Sequence, residues 1–143
     1  MTNQRLALLI LAVGDLEQAA SFYREAFAWP QIVDTNVYVE FELPDKQRFG
    51  LYQREGFGVN IGQAPREIQD GELTGTEIYF YAENVEEQVL HLERVGARKL
   101  SALQLRDWGD EVAYFADFDG NVIALARQPG ENEIPQRDVT RTV

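Results

Sequence analysis

The chain has 143 residues, 45% hydrophobic and 26% charged; a chain of that size buries about 68–70% of its unfolded surface, so one folded domain is expected and disorder of the bulk is excluded. Acids outnumber bases 24 to 13, a net charge of −11, which repels a phosphate backbone and an anionic bilayer and argues against nucleic-acid and membrane-surface roles. Cysteine is absent and histidine occurs once, at His91, which excludes disulfides, thiolate metal sites, thiol nucleophiles and His-rich zinc sites.

The first element is the apolar run Leu6 to Val13. It is far shorter than the about 20 residues a bilayer span needs. It lacks a basic leader, and Asp15 and Glu17 follow at once. It reads as a buried strand rather than a signal peptide, and a cytoplasmic protein is expected. Leu16, Ala19, Ala20, Tyr23 and Phe27 then recur at helical spacing, with Asp15 as N-cap and Gln18 three further on. Trp29-Pro30 ends that helix. A weaker strand around Gln31 to Asp34 precedes an alternating strand over Asn36 to Leu43, a turn at Pro44 to Gln47 and a strand over Phe49 to Gln53.

Gly56 to Leu73 holds four glycines, a proline and little periodicity, and reads as a connector. A strand over Thr76 to Ala82 follows, then a helix opened by Asn84 and closed by Gly96. Alternating Arg98 to Leu105, a strand over Glu111 to Ala116, a turn at Asp117 to Asn121 and a strand over Val122 to Ala126 complete the second half. In that turn Gly120 and Asn121 tolerate positive φ, and Asp119 is expected to bond the backbone ahead of it. The order β-α-β-β-β thus occurs twice. Adding 69 carries Leu8 onto Glu77, Ile10 onto Tyr79, Asp15 onto Asn84 and Glu17 onto Glu86. A repeat of this length argues for two similar modules, 5–55 and 74–128, joined by a linker 56–73 and followed by a polar tail 129–143. The tail is expected to be dispensable or an arm on a partner.

Two segments carry a family resemblance. Val13-Gly14-Asp15-Leu16-Glu17 with Phe22-Tyr23-Arg24-Glu25-Ala26-Phe27 resembles the first βα unit of the glyoxalase/bleomycin resistance protein/dioxygenase superfamily, also called vicinal oxygen chelate. Trp108-Gly109-Asp110-Glu111, Tyr114-Phe115 and Asp117 to Ile123 resemble its closing hairpin. The resemblance covers roughly residues 5 to 128. It implies an α+β fold of two tandem βαβββ modules whose mixed sheets curve into an open cup. Metal-dependent members hold their ion on cup-facing positions of the first and last strand of each module. Those positions correspond to Leu8, Glu77, Ala124 and either Leu51 or Tyr52. Leucine and alanine have no donor atom, and a divalent ion needs several hard oxygen or imidazole ligands. The resemblance therefore implies no metal and no cofactor, and argues against metal-dependent glyoxalase or extradiol dioxygenase activity.

Strand alternation assigns Leu8, Ile10 and Ala12 to the cup face of the first module, and Glu77, Tyr79 and Tyr81 to that of the second. Tyr38, Tyr52, Ala124 and the loop residue Trp108 complete the candidate ligand site. A concave apolar wall with few polar groups suits a small molecule, and aromatic faces with one carboxylate suit an aromatic or cationic one. Glu77, buried at the cup floor, is expected to need a partner, with Arg127 and Arg48 as candidates.

Three functions compete. The first is a metal-independent binding protein similar to the dimeric drug-sequestering, antibiotic-resistance members. The second is a metal-free lyase or isomerase with Glu77 as general base, and the third is a structural or interaction module with a decayed site. A homodimer is expected, with Trp29, Phe57 and Trp108 as large residues for an interface to cover.

Overall fold

In the computed structural model, which describes residues 3–128, the first apolar run becomes strand β1 (Leu8–Val13). Asp15, in extended conformation, caps helix α1 (Leu16–Phe27) by accepting from the Gln18 N–H at 3.0 Å, as its sequence position predicts. The helix buries Ala19, Ala20, Phe22, Tyr23 and Ala26 and leaves through Ala28, whose left-handed backbone donates to the Arg24 carbonyl. Tyr23 is 1% exposed and its ring meets those of Phe22, Phe27, Trp29 and Phe49, at 4.8 Å from the last. Trp29 is buried in this cluster. That corrects its expected role at an interface: the tight turn after the helix folds the indole back onto Phe27 at 4.4 Å.

Strands β2 (Gln31–Asp34), β3 (Tyr38–Glu42) and β4 (Arg48–Gln53) complete a four-stranded mixed sheet ordered β1-β4-β3-β2, with β1 and β4 parallel. Phe49 touches Tyr23 of α1, so Phe49 and Leu51 lie on the helix side. Gly50 and Tyr52 share the opposite face with their register partners Ile10 and Ala12.

The expected connector is corrected over part of its length, because helix α2 (Arg54–Ile61) spans its start. Its glycines hid it from a propensity reading. A Cβ on Gly58 would lie 2.7 Å from the Ala64 backbone, so this glycine serves close packing rather than chain freedom.

The chain divides into two compact units, Met1–Glu67 and Ile68–Val143. The second repeats the plan of the first. Strand β5 (Glu77–Tyr81), helix α3 (Val85–Arg94), and strands β6 (Arg98–Leu105), β7 (Glu111–Ala116) and β8 (Val122–Arg127) form a mixed sheet ordered β5-β8-β7-β6. Again the first and last strands of the module pair in parallel. Glu77 pairs with Val122 as Leu8 pairs with Arg48, so the offset of 69 on the first strands becomes 74 on the last. Both outer strands carry irregularities, β2 between Gln31 and Val33, β6 on either side of Ser101. Both sheets are open. The tail 129–143 lies outside the described residues.

Asp117 holds the β7–β8 turn. Asp117 is 7% exposed, and its Oδ1 accepts from the Asp119 and Asn121 backbone N–H groups, both at 2.9 Å. The Asn121 side chain donates to Asp117 Oδ2 at 3.0 Å and accepts from the Thr74 hydroxyl at 2.9 Å. Gly120 alone in the turn has positive φ, at +81°.

Candidate functional site

Alternation along β5 puts Tyr79 and Tyr81 on one side of the strand, and their rings meet edge to face at 5.7 Å. Both hydroxyls donate to one atom, Asp110 Oδ2, at 2.6 and 3.0 Å. The Trp108 indole N–H donates to the Tyr79 oxygen at 3.0 Å. A tight loop before β7 presents these groups: the Arg106 N–H donates to the Asp110 carbonyl, and Gly109 takes φ +101°. Arg106 braces the loop from the other strand, donating to the carbonyls of Ala102 and Val112 and to the Ser101 hydroxyl, with its guanidinium 4.9 Å from the Tyr114 ring centre. Beneath the network, Trp108, Val112, Ala124 and Ala126 pack together with Tyr79 and Tyr114.

In the first module, Tyr38 donates to Glu40 Oε1 at 2.5 Å and Arg48 to Glu40 Oε2 at 3.3 Å, Glu40 being 6% exposed. The Tyr38 ring lies across Gly50, where a Cβ would come within 2.8 Å of it. Tyr52 packs on Tyr38 at 5.1 Å and accepts from the Asn60 amide at 3.1 Å. Burial, then the hydrogen bond and charge of Glu40, push the Tyr38 phenol well above the ordinary tyrosine range. Folded Tyr38 therefore keeps its proton where the unfolded phenol, near about 10, has lost it. The stability it supplies is present below that value and declines as pH rises toward the folded value. Urea midpoints measured from about pH 8 to about pH 11, across the ordinary range, should fall less steeply for Tyr38→Phe than for the parent. Equal slopes would refute the assignment.

The structure thus joins Tyr79, Tyr81 and Trp108 on one module, and Tyr38 and Tyr52 on the other. Leu8 and Ile10 occupy the face of Tyr52, half-buried. Ala124 pairs with Tyr79 and is fully buried. Glu77 corrects the reading of a buried carboxylate: it is exposed, at the start of the edge strand β5. Arg127 bonds Glu111 and Glu86, which hold its guanidinium above the ordinary range, and Arg48 bonds Glu40. Trp108 too is buried within its module, which removes it as an exposed interface residue.

The register also corrects the fourth metal-equivalent position. Ala124 pairs with Tyr79, and the counterpart of Tyr79 is Ile10, which pairs with Gly50. The position falls on Gly50 rather than Leu51 or Tyr52: the loops before β4 and β8 span 43–47 and 117–121, equal in length, so the third residue of β4 matches the third of β8. Leu8, Gly50 and Ala124 offer no side-chain donor, so these positions do not fit a divalent ion. Among the described residues no three His, Cys, Asp or Glu side chains converge as a metal site.

Two clefts lie elsewhere, one of about 350 Å³ lined by Leu16, Ala20, Arg24 and Val39, one of about 260 Å³ beside Arg98 and Phe118. None of the predicted site residues lines either. Asp110 and Glu40 were not among the predicted site residues. Asp110 stood within the Trp108-Gly109-Asp110-Glu111 segment that carried the resemblance. Period-two counting from Tyr38 would have placed Glu40 on the aromatic face.

A family model described as glyoxalase-like domain matches residues 6–128. The chain belongs to the glyoxalase-like family. This glyoxalase-like chain matches a glyoxalase-related enzyme from Fulvimarina pelagi with a TM-score of 0.77 at 18% identity, over 94% of this chain and 99% of that one. It matches a glyoxalase/bleomycin resistance protein/dioxygenase from Nocardioides with a TM-score of 0.77 at 16% identity, over 96% and 91% of the two chains. A glyoxalase/bleomycin resistance protein/dioxygenase family enzyme from Burkholderia phytofirmans PsJN gives 0.71 at 17%, over 87% and 98%. At these identities the likeness establishes the glyoxalase-like fold alone. Comparison with curated proteins gives no match.

Proposed function

We propose that this glyoxalase-like chain binds a small organic molecule without a metal, on the helix-free face of its second sheet. The observation that carries the reading is the network in which Tyr79 and Tyr81 converge on Asp110 and Trp108 donates to Tyr79. Aromatic surface beside a few fixed polar groups is the usual make-up of a ligand site. Tyr81, 50% exposed, and Glu77 are the contact residues in this reading, Tyr79 and Asp110 the orienting ones, and Trp108 and Ala124 the backing layer. Leu8, Ile10, Tyr38 and Tyr52 are proposed as contacts on their own sheet.

The general-base alternative loses support because Glu77 stands exposed rather than enclosed at the floor of a pocket. The reading also has the chain cytoplasmic and homodimeric. Among the described residues no helix is long and apolar enough to cross a membrane. The exposed Val59, Ile61 and Leu105 offer apolar surface to a second copy. Native mass spectrometry is the test. A small organic mass released on denaturation is the expected result; one equivalent of Zn, Ni, Fe or Mn retained after chelator-free purification would overturn it. Light scattering at the 16.3 kDa of a single chain would remove the dimer.

A further inference from the structure

Asp110 is 4% exposed, and everything it bonds through its side chain is neutral. The two phenols crowd onto Oδ2. Among the described residues no donor reaches Oδ1 and no cation pairs with the carboxylate. Among the described residues no buried side-chain oxygen or nitrogen lacks a partner, so Oδ1 is not a sealed orphan and stays available to a group from outside these residues. A carboxylate this enclosed without a counter-charge is costly, and a ligand that brings the missing positive charge recovers that cost. Tyr79 and Tyr81 add ring surfaces, which favour cations, and the net charge of −11 enriches cations around the chain.

We propose that Asp110, rather than Glu77, is the charge-selecting group of this face, and that its ligand is a flat or aromatic organic cation bearing at least one N–H on a protonated nitrogen. The N–H bonds Oδ1 while the two phenols hold the carboxylate still from the other side. This rests on the binding reading given above, but narrows it to one residue and one ligand class.

Three probes of one shape separate the two: benzylammonium, benzyl alcohol and benzoate. The readout is the Trp108 indole N–H resonance in the full chain, assigned by its loss in Trp108→Phe. Benzylammonium should shift it with at least about tenfold tighter affinity than benzyl alcohol, the size of one charge-assisted contact, and benzoate should have no effect. Asp110→Asn retains an oxygen that both phenols can bond, so the fold is kept while the preference for the cation disappears. Tyr81→Phe and Glu77→Gln should both retain that preference. A preference lost to the same degree in Glu77→Gln would give the charge-selecting role to Glu77 and overturn the assignment to Asp110. Equal shifts from all three probes would leave a binding face standing and overturn the role of Asp110. A cation preference that survives Asp110→Asn would overturn it as well. Silence to every probe would overturn both readings.

Discussion

Tyr23→Ala is expected to destabilise the chain by about 3–5 kcal/mol, the range for deleting a buried aromatic ring. The ring is 1% exposed and stands between α1 and the first sheet, with Phe22 and Phe27 on its own helix and Trp29 and Phe49 beyond it. The strand neighbour best placed to close the gap, Phe49, belongs to a paired strand and cannot follow without breaking ladder bonds. The cavity therefore stays largely open. Tyr23→Phe should lose much less, because the packing survives. Urea denaturation of the two variants measures the difference, and a Tyr23→Ala loss below about 1 kcal/mol, the typical single-mutant effect, would show that the cluster is not the core of this module.

Gly120→Ala is the second large effect. The added Cβ would lie 2.5 Å from the Glu72 carbonyl oxygen and 3.1 Å from an Ile68 methyl group, and the backbone there has φ +81°. The obstacle is main chain and cannot swing aside as a side-chain tip can. Left-handed strain and overpacking each cost about 1–3 kcal/mol, so a loss of about 2–6 kcal/mol is expected. Thr74 donates its N–H to the Gly120 carbonyl and its hydroxyl to Asn121, so the distortion should also loosen the segment leading into β5. Amide exchange at Thr74 and Thr76 should rise together with the drop in urea midpoint. A variant as stable as the parent would mean that the Glu72 segment yields freely.

The doubled β-α-β-β-β order was legible because apolar periodicity switches from helical to alternating at the same places in both halves, and the caps at Asp15 and Gly96 punctuate it. Helix α2 was hidden by Gly56 and Gly58, which are there because Tyr52 and Ala64 pack against them. Period-two counting put Tyr79 and Tyr81 on one side of β5, where their rings meet, since a strand's period of two is rigid. It could not find the carboxylate to which their hydroxyls donate. Tyr79 and Tyr81 reach Asp110 across about thirty residues of chain, whereas Glu77, their neighbour in sequence, sits where the edge strand begins. The metal-equivalent position in β4 slipped because β6 and the loop after it are longer than β2 and its loop, which carries the offset from 69 on the first strands to 74 on the last.

The irregularities in β2 and β6 bear on how the protein survives at high concentration. Each is the last antiparallel strand of its sheet, where unpaired N–H and C=O groups would otherwise template the addition of a foreign strand. A bulge interrupts that row of donors and acceptors and increases the local twist, so an incoming flat strand cannot stay in step. Arg98 and Lys99 at the start of β6, and Asp34 at the end of β2, add charge to the same edges. A two-sheet protein has more such edges than a barrel, and these two are blunted against amyloid-like stacking.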